Sequence, residues 1–151
     1  GVLPNGVPVN LKADGTIEAV SLSLTAVSES IPAGNEAVFN SDLVNDVFIA
    51  FDHNTAGKFV LAHVDSANSQ YGTTIVGTVS GTTVSFGAEY VFNNSACNYT
   101  SIAFDPNTSG KFVVAYMDTV NSNYGTTIVG TISGTNISFG AESVFNSGTS
   151  Y

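Results

Sequence analysis

Apolar residues along this chain come in short runs bounded by Gly, Asn, Asp and Ser, and no stretch sustains a 3.6-residue apolar period. Helices are therefore expected to be minor or absent. The clearest runs are Tyr99–Asp105, Lys111–Asp118, Tyr124–Ser133 and Thr135–Phe145, rich in Val, Ile, Thr, Phe and Tyr. Each reads as a β-strand. In the second run Phe112, Val114 and Tyr116 point to one side, and Val113, Ala115 and Met117 to the other. Both sides are apolar, so this strand is expected to be covered on both faces. Asn107-Thr108-Ser109-Gly110 turns the first run into the second, and Ser133-Gly134 suits a tight hairpin between the third and fourth.

The same pattern occurs 53 residues earlier. Phe51–Asn98 and Phe104–Tyr151 align without a gap and agree at 31 of 48 positions, which makes the unit an internal repeat. Gly34, Glu36, Val38, Phe39, Asn40, Asn45, Ile49 and Ala50 also match the residues 53 places later. The chain thus divides into a degenerate copy over 20–50, a repeat over 51–103 and a repeat over 104–151 that stops before its end. An all-β, four-stranded antiparallel unit of this length, sandwiched between its own copies, reads as a β-propeller blade. An open stack of sheets or a β-solenoid is the alternative. About two and a half units fall short of the roughly four to eight blades of a closed ring. The expectation is a truncated array, completed by further repeats or by several copies of the chain. Ahead of it, Pro4 and Pro8 extend the first residues, and Val9 to Val20 reads as a hairpin turning at Asp14-Gly15. Residues 1–19 are the expected anchor to a partner.

Charge narrows the functional classes. The chain of 151 residues has 3 basic and 12 acidic side chains, a net charge of −9, and no arginine. Such a surface cannot neutralise a run of phosphates, which argues against nucleic-acid binding, and an anionic membrane leaflet would repel it. No apolar run reaches 18 residues, so membrane insertion by a helix is not expected. The single cysteine, Cys97, rules out an intramolecular disulfide and a multi-cysteine zinc site.

The segments FDPNTSGKFVVAY (104–116) and NSNYGTTIVGTISGTNISFGAESVF (121–145) resemble repeats in structural, tail-fibre-like proteins of marine bacteriophages, cyanophages in particular. LKADGTIEAV (11–20) is similar to the lead-in of such proteins. The resemblance implies a virion component, a fibre or appendage on the particle surface. It would contact other virion proteins through residues 1–19 and act in attachment or scaffolding, without enzymatic activity. His53 stands where the next copy has Pro106, and the family supplies no catalytic motif to carry over.

The candidate sites follow the repeat. Asp65, Asn68 and Tyr71 recur as Asp118, Asn121 and Tyr124 in the loop between second and third strands. As a glycan site, carboxylate and amide oxygens would bind hydroxyls and the ring would stack on a sugar. As structure, the same residues would bond to the backbone and start the next strand. A lectin-like module binding a host surface glycan is accordingly the alternative function. Asp105 to Gly110 begins like a calcium loop, but the earlier copy has Ala56 at an oxygen position and Tyr116 replaces the closing glutamate. A polar turn is the expected reading, with no metal and no cofactor. His63 aligns with Tyr116 on an apolar face and reads as a core imidazole. His53, ten residues away, does not make a zinc site with it. Cys97 has no activating base in sequence, and no catalytic residue is expected.

Overall fold

The structure, a computed structural model, describes residues 9–19 and 36–149. The expected N-terminal arm and much of the degenerate copy, residues 1–8 and 20–35, lie outside the described residues. Strands β1 (Val9–Leu11) and β2 (Ile17–Ala19) pair antiparallel, Val9 opposite Ala19. Between them the Asp14 carboxylate accepts the Thr16 amide and hydroxyl, the Asx-type bonding that closes a short turn. This hairpin belongs to one compact unit, residues 1–33, and the remaining residues form a second.

The second unit is all β among its described residues. Its strands are β3 (Val44–Phe51), β4 (Lys58–Asp65), β5 (Tyr71–Ser80), β6 (Thr83–Phe104), β7 (Lys111–Asp118), β8 (Tyr124–Ser133), β9 (Asn136–Phe139) and β10 (Ser143–Thr149). They form one antiparallel sheet in the order β10-β8-β7-β6-β5-β4-β3, with β9 also on β8. The sheet is open and does not close into a ring.

Two strand boundaries differ from those read in the sequence. The run Thr135–Phe145 splits into β9 and β10, which lie end to end along β8. The interruption falls at Gly140, whose N–H donates to the Val129 carbonyl. The matching place in β6, Gly87 and Ala88, is a bulge opposite Val76, so an irregularity occurs there in both copies. Conversely, Tyr99–Asp105 does not begin a strand of its own. No glycine or proline interrupts the chain from Ala88 to Phe104, so it continues as β6, 22 residues long. The first part of β6 pairs with β5 and the part from Cys97 onward with β7.

The 53-residue period is carried into backbone geometry. Lys58 pairs with Thr78 and Lys111 with Thr131, and both ladders run unbroken to Asp65–Tyr71 and Asp118–Tyr124. The hairpins Ser80↔Thr83 and Ser133↔Asn136 have two-residue loops whose first residue, Gly81 or Gly134, has φ of 59° or 66°. Positive φ at that position alone is the type II′ arrangement, which suits strand twist and favours glycine. Further bulges follow Asn45 and Asn98, with Asp46 and Tyr99 at φ of 48° and 54°.

One core cluster joins Val60, Val64 and Val76 from β4 and β5 with Phe92, Phe112, Val114, Tyr116, Ile128 and Ile137. The rings form a repeating lattice. Phe39–His63, Phe39–Phe86, Phe51–Phe59 and Phe59–Phe86 have centroids 5.4, 5.9, 5.3 and 6.0 Å apart. Phe92–Tyr116, Phe92–Phe139, Phe104–Phe112 and Phe112–Phe139 repeat them at 5.1, 6.2, 5.6 and 6.2 Å. These separations suit edge-to-face and tilted aromatic pairs. Each fully buried ring contributes about 1.5–3 kcal/mol of apolar burial.

Coverage of the two halves is unequal. In β4 both faces are buried, as the pattern predicts. In β7 the face of Phe112, Val114 and Tyr116 is buried, but Val113 on the other face is 39% exposed where its counterpart Val60 is 0%. Val129 of β8 is 43% exposed where Val76 is 1%. The expected two-sided cover is therefore incomplete in the later half, where Met117 is buried on the second face but Val113 and Val129 are exposed.

Candidate functional site

The two loops that carry the repeated Asp-Asn-Tyr sets are built by their aspartates. Asp65 ends β4, is buried, and accepts the N–H groups of Ala67 and Asn68 on Oδ1 at 3.0 and 3.1 Å. Asp118 does the same for Val120 and Asn121 at 3.2 and 3.3 Å, and also accepts the Ser95 hydroxyl at 3.4 Å. The Asn68 and Asn121 carbonyls then accept the N–H groups of Tyr71 and Tyr124, which start β5 and β8. Ser69, Gln70, Ser122 and Asn123 take positive φ to complete each reversal. In each set, one carboxylate oxygen is thus engaged in shaping the turn. The Asn68 and Asn121 side chains are exposed, and Tyr71 and Tyr124 are half-buried.

The loops at the opposite strand ends tie one copy to the next. Asp52 is buried; its Oδ1 accepts the Asn54 N–H and its Oδ2 the Gly110 N–H at 3.0 Å. Gly110 has φ of 72°, a conformation that aims its amide at Asp52 and that other residues adopt reluctantly. The Thr55 and Ser109 hydroxyls lie 2.9 Å apart, and Asn54 Nδ2 donates to the Pro106 carbonyl. At the bulges, Asp46 Oδ2 accepts the Tyr99 N–H and the Asp46 carbonyl accepts the Thr100 hydroxyl, both at 2.6 Å. Burial pushes the Asp52 carboxyl up, but the donors from Thr55, Asn54, Gly110 and Ser109 outweigh it and hold the group below its ordinary value. Asp105 accepts the Asn107 N–H, so both six-residue segments are Asx turns in the structure.

A third cluster lies on the sheet face that carries Phe39. His63 is fully buried, and the Phe39 ring meets it edge-to-face with centroids 5.4 Å apart. Both ring nitrogens lack a hydrogen-bond partner. Ligating atoms of His63, Asp65 and Glu89 all lie within 4.8 Å of one another. Glu89 Oε1 is 4.0 Å from His63 Nε2 and accepts a bond from Asn40 Nδ2 at 2.9 Å. Burial lowers the His63 imidazole, with Asp65 opposing. Burial and then the Asp65 charge raise the Glu89 carboxyl. Sequence spacing offers His63 only His53 as a partner. Its spatial partners are Asp65, two residues on along β4 and hence on the same face, and Glu89, two strands over on β6.

Cys97 is buried, and its thiol is pushed up to about 12 by burial, then by Asp118 and Asp46. A thiol held neutral in this way is a poor nucleophile. No family model matches the chain, and neither a curated protein nor a solved structure does.

Proposed function

We propose that the chain is a non-enzymatic structural module of blade-like, 53-residue β repeats, serving as a fibre or appendage component of a virion in attachment or scaffolding. The observation that carries this reading is copy-to-copy bonding. Asp46 with Tyr99 and Thr100, Thr55 with Ser109, and Asp52 with Gly110 join residues 53 to 58 places apart. A unit that bonds to its own successor extends by repetition, with each interface reusing the same groups. The exposed Val113 and Val129 occupy the positions that Val60 and Val76 bury, so a further unit, or another copy of the chain, fits that face. The low charge suits a surface largely given over to such stacking, and the resemblance to phage fibre repeats supplies the virion setting. Residues 1–19 are the proposed attachment to other virion proteins.

The test is mass spectrometry and antibody labelling of purified particles of the phage that encodes the chain. Detection on a projecting appendage is expected, and absence from the particle overturns the reading. A lectin-like role is the second reading, favoured by one observation: an exposed asparagine stands beside a half-buried tyrosine in both loops. It requires glycan binding that Tyr71→Ala with Tyr124→Ala abolishes.

A further inference from the structure

We propose that His63, Asp65 and Glu89 bind one divalent transition-metal ion of the zinc type, with water completing the coordination. The inference is independent of the virion reading and begins from an imidazole with no partner. His63 is 0% exposed and both its nitrogens are unbonded, an arrangement that proteins rarely leave unresolved.

The other copy shows what the place ordinarily holds. There Tyr116 reaches across and its hydroxyl donates to Glu142 at 2.7 Å. Histidine at position 63 is shorter and stops 4.0 Å from Glu89, too far for a hydrogen bond. The exchange turns a satisfied pair into a gap lined by one nitrogen and two carboxylates. An ion in that gap would take up one imidazole nitrogen and both carboxylates at once.

The chemistry of the donors fits. Zinc takes imidazole nitrogen and carboxylate oxygen at about 2.0–2.2 Å, and three protein ligands plus water is one of its common arrangements. Ligand atoms around a tetrahedral ion stand roughly 3.4 Å apart, so the present separations must contract by about 1 Å. Glu89 supplies that movement, since its side chain is 42% exposed. Asp65 accepts its turn amides on Oδ1, leaving Oδ2 to face a cation. Lys58 does not stand in for the cation, since it donates to the Gly134 carbonyl.

Titration of the full chain with zinc ion alone, followed by calorimetry, tests the site. One equivalent per chain is expected. His63→Tyr installs the residue of the other copy and is expected to fold, by circular dichroism, while weakening binding about 100-fold or more, since even outer partners of a ligand cost 10–100-fold. Glu89→Gln is expected to weaken it as well, and cobalt in place of zinc should show the visible bands of a four-coordinate site. No uptake by the parent chain overturns the proposal. So does equal uptake by the folded His63→Tyr variant, which would place the ion on surface carboxylates or His53.

Discussion

Phe112 lies over Gly130, its neighbour on β8, and Phe59 lies over Gly77 on β5 in the same way. A methyl group at either glycine would collide with the ring. Gly130→Ala is therefore expected to lower stability by about 1–3 kcal/mol, the range for overpacking a close-packed core, as read by chemical denaturation. Restoring room with Phe112→Leu should return part of the loss. At Gly134 an added methyl meets nothing within 4 Å, so only its positive φ matters, and Gly134→Ala should cost about 1–2 kcal/mol. Cys97 gives a chemical readout at the same scale. With its thiol pushed up to about 12 by burial first, it should resist iodoacetamide at pH 8 in the folded chain and react promptly once unfolded.

Among elements, the turn that carries Asp52 couples one hairpin to the next. Asp52→Ala leaves the buried Gly110 N–H without its acceptor, which should cost about 1–3 kcal/mol. The Asp52 carboxyl sits below its ordinary value. Its contribution is thus complete above the unfolded value near 3.8 and is lost as pH falls through the lower folded value. Thermal melts below about pH 4 should show a decline that Asp52→Asn flattens. The strands and hairpins were legible because alternation and turn residues are local, and because one copy corroborates the other. The turn role of Asp65 and Asp118 was legible too, because an aspartate just ahead of a reversal can accept the turn's own amides locally. Glu89 was not, because its approach to His63 depends on the registers of two ladders, β4 on β5 and β5 on β6. Nor does the apolar pattern of β7 reveal that its second face is left open at Val113, since the pattern reports what a face suits and not what lies against it.

At the scale of the whole molecule, the proposed stacking predicts self-association through the exposed Val113 and Val129. Val113→Glu with Val129→Glu should abolish self-association measured by light scattering, while leaving the circular dichroism spectrum unchanged. Association that persists in the double variant would locate the contact elsewhere. Acid sensitivity also has a global part. The lowered His63 means that, in the metal-free chain, the unfolded state takes up a proton as pH drops below about 6.5 while the folded state resists. Stability should fall over that interval, and His63→Tyr should remove the fall. Glu89, raised chiefly by burial, acts in the opposite sense at lower pH: its share is present below 4.5 and lost as pH rises through the folded value.

One strand, β6, belongs to both halves of the sheet, pairing β5 along its first part and β7 along its last. Under tension between the chain ends, the two ladders meet at a continuous length of backbone without a loop to pay out. Load passes along the strand, so the hydrogen bonds on either side resist together in shear and do not open singly. The halves should consequently rupture as one event when pulled, a mechanical response that force spectroscopy would read as a single peak.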